Sequence, residues 1–274
     1  LYVYYFERDV NESRENFLKY KAVADVTPEL EYDETSLFFA SRQFQEAINK
    51  SKERITQYGD KADPRYYKLA AYSYAELKDT ANAKTSMDQY FTKQKPDGYV
   101  PKDYSFYAQI LGRTKGSEAQ AFAQYQKAIE LDTAKSGKMA LMEEAARLAT
   151  SIGDKEQAAI WNMKKYVFDT VAASNRDMYD YGYAHYQAEH FDSAYAIFKN
   201  YQAKYPKEIY GYLWASRAAQ VIDSTWEKGL AATETELYAA KATDIDSVKL
   251  KSQIIYSYKL LAQYHNNVKK DRDS

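Results

Sequence analysis

The chain has 274 residues, 45% of them apolar, with nine glycines, five prolines and no cysteine. It is too apolar to stay disordered, and with glycine plus proline at only about 5% it is short of the turn formers that a sandwich or barrel needs. The 38 basic and 39 acidic residues leave a net charge of -1, so no uniform field recommends nucleic acid or an anionic membrane as a partner.

Taken in chain order, Tyr2 to Glu7 reads as the end of a helix, and Asn16 lies on the helix that follows. Ala47, within FQEAI, opens the apolar stripe of a later helix, and Ser51 stands where a large apolar residue is expected to pack. Asp63-Pro64 then starts a helix with a side-chain acceptor at the N-cap and a proline where its missing N–H costs nothing. Tyr67, Ala70, Ala71 and Tyr74 fall at i, i+3, i+4 and i+7, one face of that helix. After a polar break at Lys78-Asp79-Thr80, a second helix carries Ala83, Met87, Tyr90 and Phe91, stopped by Lys95-Pro96-Asp97-Gly98. The same pattern continues through Ala121, Ala158 and Ala194. Ser117 with Gln120 reads as a capping box, and Gly153-Asp154 precedes the helix of Ala158. Near Ala158 the pattern departs from rule: Asn162 stands at an apolar position with Trp161 beside it to take over, and Lys165 at an alanine position. The register is loosest between Val221 and Ala242, around Trp226 and Gly229. Gln253 to Tyr264 reads as a final first helix, with His265 to Ser274 trailing off.

The alanines that open the second helices, Ala47, Ala83, Ala121, Ala158, Ala194 and Ala231, are 36, 38, 37, 36 and 37 residues apart. Small residues recur on the first helices at Ala71, Ala108, Ala146, Gly182 and Ser216, where they let two helix backbones approach. A two-helix unit of this length cannot bury both apolar faces alone, so it must stack on its neighbours. Seven to eight such units span residues 1–274 as one domain, the first and last incomplete, which leads us to expect a piece of a longer protein.

At these residues the chain resembles the tetratricopeptide repeat family. Phe191, Ala194, Phe198, Tyr201 and Pro206 follow the family's pattern, with Tyr201 where a second alanine is usual; Ala121, Tyr125 and Ala128 match it again. The resemblance implies an all-α fold, a right-handed solenoid of antiparallel helix pairs. It further implies that the first helices line a concave groove for an extended peptide or a partner's helix. Mapped onto this chain, that face presents Tyr32, Arg65, Lys68, Tyr72, Phe106, Arg113, Arg147, Arg176, Tyr179, Tyr183, Tyr186, Tyr210, Arg217 and Tyr258. Rigid rings and guanidinium forks suit recognition of a protein segment, in particular an acidic one. Family members that clamp a chaperone's terminal carboxylate need asparagine where Tyr72 follows Lys68, so that clamp is not expected.

Catalysis has little support. His185 and His190 are five apart, about 140° around a continuous helix, and neither has a metal-ligand spacing with a carboxylate; they read as a packing residue and a turn residue. No nucleophile elbow, phosphate loop or dinucleotide motif occurs. The expectation is therefore a scaffold that is not an enzyme, with no cofactor, no metal, no nucleic-acid partner and no membrane span, whose partner is a protein or peptide. Two alternatives stay open: a carbohydrate or small-ligand module of the cell envelope, or a targeting module of an enzyme whose catalytic domain lies elsewhere. The absence of cysteine leans toward an exported or periplasmic protein.

Overall fold

The computed structural model describes residues 10–269, so the expected helix end at Tyr2 to Glu7 and the last five residues lie outside it. Among the described residues the chain forms fourteen α-helices and no strand. Its backbone contacts gather into two compact units, Leu1–Thr133 and Ala134–Ser274.

The first unit holds α1 (Val10–Lys21), α2 (Pro28–Ala40), α3 (Phe44–Tyr58), α4 (Arg65–Glu76), α5 (Thr80–Lys93), α6 (Pro101–Gly112) and α7 (Glu118–Leu131). The second holds α8 (Lys135–Ile152), α9 (Lys155–Phe168), α10 (Asn175–Gln187), α11 (Phe191–Lys204), α12 (Ile209–Ile222), α13 (Leu230–Asp246) and α14 (Lys251–Tyr264). Within each unit every helix packs on the one before it and the one after it. Each unit is thus an all-α solenoid of stacked helix pairs.

The alanine period explains the packing. Ala47, Ala83, Ala121, Ala194 and Ala231 are fully buried on second helices, and Ala71 and Ala108 on first helices. A methyl group there lets two backbones cross closely, and the larger Met87, Tyr90, Tyr125, Phe198 and Tyr201 fill the space to either side. Gly182 and Gly211 are tight crossings: a Cβ built on Gly182 would meet Phe198 Cζ at 2.9 Å and Ile197 Cγ2 at 3.0 Å, and one on Gly211 would meet Tyr201 Cδ1 at 2.8 Å.

Four hairpins share one turn. Gln43 N donates to Phe38 O, Asp79 N to Tyr74 O, Asp154 N to Ala149 O and His190 N to His185 O, each at 2.9 Å. The residue before each donor is left-handed: Arg42, Lys78, Gly153 and Glu189, with φ of 59°, 63°, 76° and 64°. This is the helix-ending motif usually entrusted to glycine, and here three of the four positions are charged residues. That is why the sequence shows only a polar break at these turns.

Helix starts are mostly as expected. Thr27 caps α2, its hydroxyl accepting from Leu30 N at 3.2 Å. Asp63 Oδ1 accepts from Arg65 N at 2.8 Å, Asp79 from Asn82 N at 3.1 Å and Asp154 from Gln157 N at 3.0 Å. The expected capping box at Ser117 does not form, because Ser117 makes no side-chain cap and Glu118 instead turns back to accept from Gly116 N at 3.0 Å. A full box occurs at Ser174 with Asp177.

The irregular positions resolve individually. Ser51 is fully buried, and its hydroxyl has no partner. Trp161 fills the space beside Asn162, whose amide donates to Ala158 O at 2.8 Å. Between α12 and α13 the longer loop is organised by Asp223, which accepts from Lys228 N and Ala231 N, both at 3.2 Å. Trp226 and Gly229 adopt left-handed conformations there.

Candidate partner-binding face

The expected face is built differently in the two units. In the first unit its polar groups are already engaged. The Arg65 guanidinium donates to both carboxylate oxygens of Glu29, at 3.0 and 2.7 Å, and to Asp63, while lying 4.1 Å over the Tyr32 ring. These two carboxylates, Glu29 first, push the guanidinium above its ordinary pKa. Lys68 Nζ reaches inward to Asp103 at 3.0 Å, and Tyr90 hydroxyl donates to the same carboxylate at 2.7 Å. Asp103 is only 1% exposed and also accepts from Val100 N at 3.1 Å. It therefore ties α4, α5 and the start of α6 through one buried group. Burial, followed by this bond to Asp103, drives the Tyr90 hydroxyl well above the usual phenol pKa. Tyr72 stacks on Phe106 with centroids 3.9 Å apart and tilts toward Phe39 at 6.1 Å. Arg113 follows α6, exposed.

In the second unit the arginines and Tyr210 are exposed, Tyr179, Tyr183 and Tyr186 are half-buried, and Trp214 is buried among them. α10 carries Arg176, Tyr179, Tyr183 and Tyr186 along one stripe, and α12 carries Tyr210, Trp214 and Arg217. Tyr179 and Tyr183 are near-parallel, with centroids 5.7 Å apart and planes 10° from each other. Tyr210 meets Tyr179 edge-on at 5.4 Å, and Trp214 meets Tyr183 and Tyr186 edge-on at 4.8 and 4.9 Å. The Arg217 guanidinium lies 4.6 Å over Trp214. These edge-to-face contacts leave a rigid aromatic platform, since each ring is held by its neighbours' quadrupoles as well as by packing. Burial raises the Tyr179 hydroxyl pKa and pushes that of Tyr201, beneath Tyr210, up to about 12.

Beside the platform, α8, α9 and α10 enclose an open cleft of about 850 Å³ lined by Arg147, Lys165, Arg176, Tyr183, Asp154 and Gln187, among others. The Arg147 and Arg176 side chains are 66% and 75% exposed. Arg147 pairs only along its own helix, with Glu143 at 2.8 Å, and Arg176 likewise with Asp180 at 2.8 and 2.9 Å. Such exposed i,i+4 pairs are worth a few tenths of a kcal/mol, so either guanidinium can turn to a ligand at little cost. Lys165, deep in the cleft with a side chain 13% exposed, sits 2.8 Å from Asp177 and 3.5 Å from Glu143. Burial lowers its pKa, but the two carboxylates more than compensate and the net shift is upward. A smaller pocket of about 180 Å³, between Asn175, Arg176, Tyr179, Tyr201 and Tyr210, adjoins the platform.

Trp214, Phe39 and Asp103 were not among the expected residues. Trp214 was legible, because it lies four residues after Tyr210 and three before Arg217, on the same stripe. Asp103 was not, since its burial depends on Lys68 and Tyr90 arriving from other helices. Tyr258 on α14 is 53% exposed.

The two histidines meet, contrary to the expected angular separation. That expectation assumed a continuous helix, whereas α10 ends at Gln187 and the left-handed Glu189 folds the chain back. His185 Nδ1 and His190 Nδ1 are 3.3 Å apart, and His190 Nε2 lies 3.1 Å from Glu156. Burial, followed by the neighbouring His190, holds His185 below the usual imidazole pKa.

Among the described residues no helix is long and apolar enough to cross a membrane. No protein-family model matches the chain, and no curated protein matches it. Solved structures do. The C-terminal part of a TPR repeat-containing protein from Cytophaga hutchinsonii superposes with a TM-score of 0.53 at 22% identity, covering 88% of this chain and 89% of that chain. Less similar are the APC/C hetero-tetramer Cut9-Hcn1, with a TM-score of 0.45 at 12% identity over 91% of this chain and 46% of that one, and PilW, a type IV pilus biogenesis factor, with 0.43 at 14% over 81% and 94%. Repeat solenoids of this kind are generally interaction scaffolds that present an extended surface to a partner. Stacked helix pairs, alanines buried at their crossings at the spacing of the repeat, and a TPR protein as structural counterpart together make this chain TPR-like in fold.

Proposed function

We propose that the chain is a non-catalytic scaffold that holds a carboxylate-bearing segment of a partner protein against α8, α10 and α12. One observation carries this reading: Arg147 and Arg176, exposed and only loosely paired, flank an open cleft beside the packed platform of Tyr179, Tyr183, Tyr210 and Trp214. A guanidinium fork binds a carboxylate bidentately. Rigid rings beside it bury the partner's apolar groups at low entropic cost, the combination that marks binding hot spots. Tyr186 and Arg217 extend the same surface. The equivalent groups of the first unit, Arg65, Lys68 and Tyr72, are spent on internal contacts.

A random dodecapeptide library panned on the immobilised chain tests this reading. Enriched peptides are expected to be rich in Asp and Glu with at least one aromatic or aliphatic residue. Their affinity should fall about tenfold, the loss of one or two charge-assisted contacts, when Arg147 and Arg176 are both changed to alanine. Enrichment of neutral or basic peptides, or affinity indifferent to the double substitution, would overturn the assignment.

A further inference from the structure

We propose that His185 and His190 form a two-imidazole site for a borderline divalent cation, Zn²⁺ before others, at the hairpin of α10 and α11. Three features of the hairpin carry this.

The first is spacing. Two nitrogen ligands, each about 2.0–2.1 Å from a tetrahedral Zn²⁺, lie roughly 3.3–3.4 Å from one another. The two Nδ1 atoms are 3.3 Å apart. A cis pair on a square-planar or octahedral ion at the same bond length would sit closer, at about 2.9 Å, so the spacing favours a tetrahedral ion.

The second is that the hairpin backbone holds the two residues in place. Glu189 N donates to Tyr186 O at 3.1 Å, and His190 N to His185 O at 2.9 Å, closing the left-handed turn between the residues. His185 is further held edge-on against Tyr181, centroids 5.0 Å apart.

The third is the group behind the ligand. Glu156, from the first turn of α9, lies 3.1 Å from His190 Nε2. With the proton on Nε2 donated to Glu156, Nδ1 of His190 carries a free lone pair on the side of His185 Nδ1. A carboxylate on the far nitrogen of a coordinating imidazole is the outer-shell arrangement that orients metal-binding histidines. In the metal-free chain one proton bridges the two Nδ1 atoms, carried by His185. On binding, that proton moves from His185 Nδ1 to Nε2 of the same ring, which keeps the imidazole neutral, and the cation sits off the line between the two Nδ1 atoms, about 2.0–2.1 Å from each. The His185 Nε2 is buried without a partner, so placing a proton there is costly and weakens the affinity. The His190 side chain is 39% exposed, which leaves water or an outside ligand free to complete the coordination.

The test uses the whole chain, freed of metal by chelator and dialysis, and titrated with ZnCl₂ by calorimetry at neutral pH. One equivalent should bind, and Co²⁺ as a spectroscopic substitute should give the intense visible absorption of a four-coordinate ion. His190→Gln, at a partly exposed turn position that leaves the helices intact by circular dichroism, should abolish binding. Glu156→Gln should weaken it about tenfold, and His265→Gln should leave it unchanged. Failure to bind at millimolar zinc, binding indifferent to H190Q, or a weak six-coordinate cobalt spectrum would each overturn the proposal.

Discussion

The face of α4 and α6 and the face of α10 and α12 carry the same residue types, yet they behave differently. On α4, Arg65 and Lys68 are drawn into ion pairs, the latter with a carboxylate that is 1% exposed, and Tyr72 is stacked between helices. On α8 and α10, Arg147 and Arg176 pair only along their own helices and stay mostly in water. What separates the two is what the adjoining first helices supply. α6 supplies Asp103 beneath Lys68, and α2 supplies Glu29 beneath Arg65. α12 instead supplies Tyr210 and Trp214, which neutralise nothing and build a platform. A basic residue on a first helix therefore stays open to solvent only where the adjoining pairs do not engage it with a carboxylate.

That contrast can be broken from the first unit. Asp103→Ala removes the acceptor shared by Lys68, Tyr90 and Val100 and leaves a buried hydroxyl unpaired; it should cost about 3 kcal/mol, read as a fall in the urea midpoint at unchanged slope. A loss below about 1 kcal/mol would mean that the buried network does not hold α4, α5 and α6 together.

Next in size is Gly182→Ala in the second unit. The added methyl would sit 2.9 Å from Phe198 Cζ, and overpacking of this kind costs about 1–3 kcal/mol. Peptide binding should weaken alongside stability, because α10 carries the platform; a neutral outcome would show the crossing to be looser than the structure indicates.

Asp177 offers a pH test of the cleft floor. Burial raises its pKa, but the Lys165 ammonium and the Ser174 hydroxyl and amide outweigh this, and the net shift is downward. A carboxylate depressed in the folded state contributes its full stabilisation above the unfolded pKa of about 3.9 and loses it as pH falls below that value. Wild type should therefore exceed Asp177→Asn in stability at pH 7, and the two should converge as the pH falls from about 4 toward the depressed folded value. A gap that stays constant across that window would count against the Lys165 pairing.

The smallest effect on stability belongs to Arg147→Ala with Arg176→Ala, below about 1 kcal/mol in total for two exposed pairs, while peptide affinity drops about tenfold. A melting point unmoved together with an affinity strongly reduced is the signature of a binding surface; the reverse would assign these arginines to the fold.

The helix pairs, their order and the small residues at their crossings could be read directly from the sequence, because a period of buried alanines depends only on local helix geometry. The choice of first helices for the candidate face came from the resemblance to the tetratricopeptide repeat family and not from the period. The hairpin turns were less visible, since Arg42, Lys78 and Glu189 take a conformation that glycine usually announces. The meeting of His185 and His190 was hidden for the same reason: a helical wheel has no meaning past the residue where the helix ends. What the sequence determined by itself was where helices run and which faces they bury. Tertiary structure alone decided which charges on those faces are spent and which stay open, because the electrostatic partner of a side chain comes from a helix some 35 residues away and only packing brings it near.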